Sequence, residues 1–497
     1  VKARRILLIA LATVLVVCCG GAGLVAFLFS RQVVDTAGKV DFVNPVAVPP
    51  LASSHLDESG RRVFDLTAQT GEHDFGRGPV RTAGYNGTYL GPTLRATRGE
   101  QVVVNVHNTL SETTTLHWHG MHLPATMDGG PHQPIAPGAT WSPTWWINQS
   151  AATLWYHPHP HGDTANQVYN GLAGMFLIDD PRTDAPALPH TYGVDDIPVI
   201  VQDKRFDGAT LDKANSLLGG TGILGDTIAV NGTVAPYLAV TTERVRLRLL
   251  NASNARVYSF GFTDERAFAL VGTDGGLLPR PYQMSHLVLS PGERAEIIVS
   301  VRPSERPVLR SSPTDLGLDL LSNRFTGGAD TLDILQLRAA ATLAPSAPTP
   351  AALVDVPRLD PASAVQTRQF VLGDTRINGH QMDPTRVDLT VVKDTVELWD
   401  VVNNDGSPHN FHIHDVQFQV RTLDGAPPPP ELSGWKDTVY MRPHVRFEFI
   451  LRFADYADPA TPYMYHCHLL RHEDNGMMGQ FVVVNPGESA KPLTNHH

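Results

Sequence analysis

An Asn-Gly pair recurs three times along the chain, at Asn86-Gly87, Asn231-Gly232 and Asn378-Gly379. Downstream of each pair an acidic residue, Glu100, Glu243 or Asp394, opens a run rich in Val and Leu. Each run closes on an asparagine: Asn108, Asn251 and Asn403. Pro137-Gly138 and Pro291-Gly292 then precede a further strand-like run in the first two copies, and residues 446–452 take that place in the third. A spacing of roughly 150 residues is that of a domain and is too long for a solenoid unit. The chain of 497 residues therefore reads as three similar domains behind an N-terminal extension.

Runs at 101–107, 244–250, 395–401 and 446–452 alternate between Gly, Pro, Asn and Asp punctuation, and long amphipathic helix patterns are scarce. Such alternation marks half-buried strands. The expected fold class is all-β, with β-sandwich domains at 61–182, 183–345 and 346–490. A polar, irregular linker is expected over 31–60, and an Ala- and Pro-rich one joins the second and third domains.

The chain holds 22 His, and four clusters stand out. They are His117-Trp118-His119, His157-Pro158-His159, His409-Asn410-Phe411-His412-Ile413-His414 and Tyr465-His466-Cys467-His468-Leu469-Leu470-Arg471-His472. His117 lies nine positions after Asn108, His412 lies nine after Asn403, and His119 and His414 each follow by two. In the second copy this place is held by Phe260-Gly261-Phe262, where Phe is expected to replace both ligands. Tyr156-His157-Pro158-His159 matches Tyr465-His466-Cys467-His468, with Pro158 where the third copy has a thiol. The first and third domains thus each supply two His-x-His pairs. A pseudo-symmetric cluster between them would use all eight imidazoles, with the second domain as spacer.

His409 is left over from that count. Cys467 has no disulfide partner in the globular part, because Cys18 and Cys19 lie in the N-terminal apolar run. One thiolate, two His and a weak axial Met make the blue-copper electron-transfer arrangement. Cys467, His409, His472 and Met477 supply that set. Neighbouring side chains on an extended strand point to opposite faces. His466 and His468 would then serve the cluster while Cys467 serves the second site.

On these residues the sequence resembles the three-domain multicopper oxidases, the family of laccases, bilirubin oxidases and bacterial copper-efflux oxidases. The resemblance runs from about residue 61 to 486, and all four ligand segments carry it. It implies cupredoxin-like Greek-key sandwiches and four copper ions. By the resemblance, His117 and His412 bind the type 2 copper. His119, His157, His159, His414, His466 and His468 bind the type 3 pair, and His409, Cys467, His472 and Met477 the type 1 copper. The implied reaction is one-electron oxidation of a small reductant, a phenol or aromatic amine, coupled to four-electron reduction of dioxygen to water. Oxidation of cuprous or manganous ions is the alternative, and a copper-free envelope scaffold is disfavoured by the full ligand set. Asp128 and Glu473 match acidic residues that the family uses for proton supply. Asp437 resembles a family residue near the type 1 site, and Asp405 is expected on the substrate face. With nine Met and no Met cluster before His409, a dedicated cuprous oxidase is less favoured.

Residues 6–29 carry no charge and follow Lys2, Arg4 and Arg5. This length can span a bilayer with the basic flank inside. A signal-anchor helix is expected, with a cleaved signal peptide as the alternative, and the bulk of the protein outside the cytoplasm. The net charge of −11 gives no reason to expect nucleic-acid binding.

Overall fold

A computed structural model describes residues 33–182, 188–215 and 220–493, chiefly strands with the turns and loops that join them, and helix only in short segments. The apolar run at 6–29, with Cys18 and Cys19, lies outside the described residues. Among the described residues no helix is long and apolar enough to cross a membrane.

The same two strands found each copy of the repeat. Arg62–Asp74 runs parallel to Gln101–Asn108, Asp196–Lys204 to Arg244–Asn251, and Ala364–Gly373 to Val396–Asn403. In the first copy this pair lies in a six-stranded sheet, and a four-stranded sheet carries His117–His119 and Ala152–His157. The two sheets close on Phe64, Val104, Trp118, Tyr156 and Phe176. The second copy packs sheets of seven and six strands around Leu247, Tyr258, Phe260, Ile297 and Leu335. The third packs sheets of six and five strands around Trp399, Phe411, Phe449, Tyr465 and Phe481. Burying one such side chain contributes roughly 1.5–3 kcal/mol, so each sandwich has a sufficient core of its own.

The repeated asparagines have one job at each level. Asn86, Asn231 and Asn378 adopt left-handed backbone, with φ of 55°, 50° and 53°. Asparagine accepts this region more readily than most residues. From there Asn86 accepts a bond from Thr67 N, Asn231 from Ile200 N and Asn378 from Val371 N, tying each turn to the first strand of its pair. At the strand ends, Asn108, Asn251 and Asn403 are fully buried and donate to Ile135, Leu289 and Met441 carbonyls.

Two expectations change. Residues 33–60 do not form a free linker: Asn44–Pro45 adds a parallel edge strand to Pro236–Thr242, and Ser54–Leu56 pairs with Arg62–Asp74. Polar composition concealed this because edge strands expose most of their side chains. Phe260 and Phe262 also do not stand where ligands stand elsewhere. They sit in the second core beside Tyr258, whereas in the other copies the core takes Trp118, Phe411 and Ile413 and turns the His outward. The alternation of that strand is shifted by one residue, and a one-residue shift exchanges its two faces.

First and second sandwiches meet on a buried ionic junction. Glu296 accepts from Thr153 Oγ1 at 2.6 Å and Arg248 Nη1 at 3.0 Å through one oxygen, and from Arg246 Nε at 3.0 Å through the other. Burial raises this carboxyl, but Arg246 and Arg248 outweigh it and bring it down to about 2. A depressed carboxyl stabilises the fold fully above its ordinary value of 4.5, and that stability is lost as pH falls through about 2. The metal-free Glu296→Gln variant is expected to be less stable at pH 7 by roughly 3 kcal/mol. Its deficit should shrink between pH 4.5 and 2 in urea unfolding curves; a deficit independent of pH would contradict the assignment.

Candidate metal centre

Two groups of ligating side chains meet where the first and third sandwiches touch. The smaller lies inside the third. Cys467 Sγ is 3.6 Å from His472 Nδ1 and 3.9 Å from His409 Nδ1, and those two nitrogens are 3.0 Å apart. His409 opens the strand His409–Ile413, while His472 lies in the short helix Leu470–Asp474 that follows the thiol. The distal Nε2 atoms are engaged elsewhere. His472 Nε2 donates to the Gly220 carbonyl at 2.9 Å, and His409 Nε2 to Asp405 Oδ2 at 3.2 Å. With acceptors on Nε2, both rings present an Nδ1 lone pair toward Cys467, the tautomer a soft cation needs. Burial pushes the Cys467 thiol up to about 12, so a bound cation would have to displace its proton. Met477 is fully buried, and its carbonyl accepts from Cys467 N at 3.0 Å.

The larger group spans both sandwiches. His117 stacks on His414 and His119 on His412, each at 3.8 Å between ring centroids. His466 Nε2 lies 3.1 Å from His159 Nε2 and 3.2 Å from His414 Nε2. Three overlapping triads bring their ligand atoms within 4.8 Å of one another: His117, His119 and His157; His117, His412 and His414; His159, His414 and His466. His468 joins them with its ring 5.0 Å from His119.

The outward nitrogens are again tied. His117 Nδ1 donates to the Asp128 carbonyl, His412 Nδ1 to that of Asp437, His157 Nδ1 to that of Pro158 and His466 Nδ1 to that of Cys467, all within 3.1 Å. The inward ones have no hydrogen-bond partner: Nε2 of His117, His157 and His412, Nδ1 of His119, and both nitrogens of His468. Burial, then neighbouring imidazoles, holds His119, His157, His412 and His414 well below the usual histidine value, and His468 falls to about 3. They are therefore neutral at pH 7, as metal ligands must be. Unmatched buried acceptors are costly, at roughly 1–3 kcal/mol each, unless something binds them. A cluster of metal ions matches this donor set.

Two carboxylates flank the cluster. Asp128 Oδ2 accepts from His414 Nδ1 at 2.7 Å, and its Oδ1 is 3.4 Å from His117 Nδ1. Gly129, at φ 77°, makes the turn that presents it; a Cβ there would sit 1.8 Å from the Leu116 carbonyl oxygen. Glu473 is 3.4 Å from His159 Nδ1 and 3.2 Å from His466 Nδ1. Burial raises the Glu473 carboxyl, but those imidazoles outweigh it and hold it well below the usual range.

The structure brings together eleven of the twelve proposed ligands and both acids, buries Met477 in the same core as Cys467, and moves one residue. Asp437 does not border Cys467; it touches the large cluster, accepting from His119 Nε2 at 3.1 Å. The second sandwich is more than a spacer. It supplies Gly220 to His472 and the Ser290 and Pro291 oxygens that Asn410 Nδ2 binds. Gly292 lies against the His468 ring. Their spacing carries no ligand signal because they belong to the copy without ligands. His122 donates no nitrogen to either group and contacts Gln417 instead, and His161 is exposed.

Models of the multicopper oxidases match residues 67–183 and 352–487. The chain is 36% identical to a multicopper oxidase of Staphylococcus haemolyticus, over 89% of this chain and 93% of the relative. It is 38% identical, with the same coverage, to the cell division protein FtsP of Escherichia coli. Its fold matches that of the laccase-like multicopper oxidase CueO of Ochrobactrum sp. with a TM-score of 0.81 and 36% identity, over 88% of this chain and 100% of that one. The chain belongs to the multicopper oxidase family, and its sandwiches are of the cupredoxin-like kind that the family shares. Membership implies that the metal is copper.

Gly292 tests how tightly the ligand-free sandwich frames the site. Its φ is 86°, and a Cβ would meet the His468 ring at 3.0 Å. Gly292→Ala is expected to destabilise the metal-free protein by about 1–3 kcal/mol. It should also lower the copper bound per chain while sparing the Cys467 centre. Unchanged copper content by elemental analysis would contradict this.

Proposed function

We propose that the protein is an oxidase. It would take single electrons from a small reducing substrate at a type 1 copper and pass them to dioxygen at a three-copper cluster. His409, Cys467, His472 and Met477 would hold the first, His117 and His412 a type 2 ion, and His119, His157, His159, His414, His466 and His468 a type 3 pair. The observation that carries this reading is the set of buried, neutral imidazoles whose inward nitrogens lack partners. Copper, when bound, supplies stepwise electron storage, four electrons in all.

The chain's own residues do the rest. Cys467 faces the third core while His466 and His468 face the cluster, so one stretch of backbone links the two centres. Glu473 and Asp128 touch cluster imidazoles and are placed to deliver protons as dioxygen is reduced. Asp405 is partly exposed and bonds the outer nitrogen of His409, which favours electron entry along that edge.

Phenols and aromatic amines are the favoured substrates, in keeping with the Ochrobactrum enzyme, described as active towards lignin model compounds. Cuprous or manganous ions are the second reading, supported by the Asp405 carboxylate at the entry edge. The cell-division relative is as similar as the oxidases, so percentage identity does not separate enzyme from scaffold; the complete ligand set favours the enzyme. We further propose that the protein acts outside the cytoplasm, anchored by residues 6–29 or released after cleavage there.

Copper-loaded protein is expected to absorb intensely near about 600 nm, the signature of a Cu–thiolate bond, and Cys467→Ser should abolish the band. Oxygen uptake with a phenol, cuprous ion and manganous ion would rank the substrates; no uptake by fully loaded protein with any of them would favour the scaffold. Asp128→Asn is expected to slow reoxidation by dioxygen by roughly 10²-fold or more while reduction of the 600 nm band stays fast. Stopped-flow traces with unchanged reoxidation would remove Asp128 from proton delivery.

A further inference from the structure

The Gly of the His117-Trp118-His119-Gly120 motif and the Asp of Lys436-Asp437 converge on a residue of the ligand-free sandwich, Arg294. It is fully buried, and all five of its N–H donors are used. Nε donates to the Thr153 carbonyl of the first sandwich at 3.0 Å. Nη1 and Nη2 donate to the Gly292 and Asp274 carbonyls of the second at 3.2 and 3.0 Å. The last two donors bind Asp437 of the third, Oδ1 and Oδ2, both at 2.7 Å. All three sandwiches meet on one guanidinium.

Asp437 faces two rings at once. Its Oδ1 accepts from His119 Nε2 at 3.1 Å, and its backbone carbonyl accepts from His412 Nδ1 at 2.8 Å. A carboxylate and a carbonyl only accept, so His119 carries its proton on Nε2 and His412 on Nδ1. Their free lone pairs are the opposite atoms, His119 Nδ1 and His412 Nε2, both without a partner. The two rings are stacked at 3.8 Å and 10°, one from each ligand-bearing sandwich. Gly120 leaves the room this needs. Its φ is 85°, and a Cβ would lie 2.6 Å from Arg294 Nη2 and 2.7 Å from Asp437 Oδ2.

We propose that Arg294 is a positioning residue for the copper cluster. Its planar fork holds the Asp437 carboxylate on His119 Nε2, beside the Asp437 backbone carbonyl that takes the His412 Nδ1 proton, so that the two stacked rings direct lone pairs from different atoms into one space. The inference rests on the reading that this cluster binds copper. A lysine would keep the charge but not the fork. The second sandwich, without a ligand of its own, thereby controls the pairing of the other two.

Arg294→Lys is expected to fold and to keep the 600 nm band of the Cys467 centre. It should bind cluster copper about 10–100-fold more weakly in chelator competition, with an altered type 2 EPR signal. Asp437→Asn should do the same. Arg256→Lys disturbs a buried ion pair with Asp203 and Asp330 away from the cluster, so it should lower stability alone. Arg294→Lys with wild-type chelator midpoint and EPR spectrum would overturn the proposal. If the variant does not fold, imidazole nitrogen NMR of the metal-free wild type decides: Nε2–H on His119 with Nδ1–H on His412 supports it, and any other pairing overturns it. Wild-type protein that binds no cluster copper would instead defeat the oxidase reading, while the NMR result would still judge the tautomers.

Discussion

Eight buried imidazoles turned toward one another in a dry interface dominate the energetics of this molecule. Seven have one nitrogen fixed by a carbonyl or carboxylate or aimed at a neighbouring ring, His468 has neither nitrogen paired, and most of the eight leave an inward nitrogen unmatched. Desolvation keeps His119, His157, His159, His412, His414 and His468 unprotonated, so these rings do not relieve the mismatch by taking up a proton. The sandwiches must be held in contact by other means, and they are: apolar cores on each side, and buried ion pairs such as Arg294–Asp437 and Lys436–Glu293 across the seam between the second and third. The polypeptide creates a demand for cations at the interface that its own hydrogen-bonding groups do not meet.

Strand alternation turns that demand into two linked sites. Asp458–His466 carries its last imidazole to the cluster, and the next residue, Cys467, falls into the third core with Phe411 and Met477. In the first sandwich the same place is Pro158, which cannot ligate, and among the described residues no second group of ligating side chains lies there. The duplication is visible in packing as well. Gly174 makes room for Tyr156, and Gly479 for Tyr465, each where a Cβ would lie 2.3 Å from the tyrosine ring.

Much of this was legible in the sequence, for reasons that differ by element. The Asn-Gly pairs and the strand-closing asparagines could be read because each fills a backbone role that few residues perform. The ligands could be read because His and Cys at fixed spacing on alternating strands have few other uses. What escaped was whatever depends on contact between copies. Arg294, Gly292, Gly220 and Ser290 carry no metal-binding pattern, and only the docking of the second sandwich gives them a role. The inward turn of Phe260 and Phe262 escaped because a shift in strand parity leaves residue counts unchanged. Asp437 was found but placed at the other centre, because it was placed by family resemblance alone and only the folded backbone brings it to His119.

The central claim is that these two groups of side chains are metal sites and not a polar core. Anomalous scattering at the copper edge from crystals of the copper-loaded protein tests it most directly. The account predicts one peak among His409, Cys467 and His472 and three more enclosed by His117, His119, His157, His159, His412, His414, His466 and His468. Crystals of protein prepared with excess copper that show no peak at the eight histidines, with waters or direct hydrogen bonds satisfying their inward nitrogens, would contradict it.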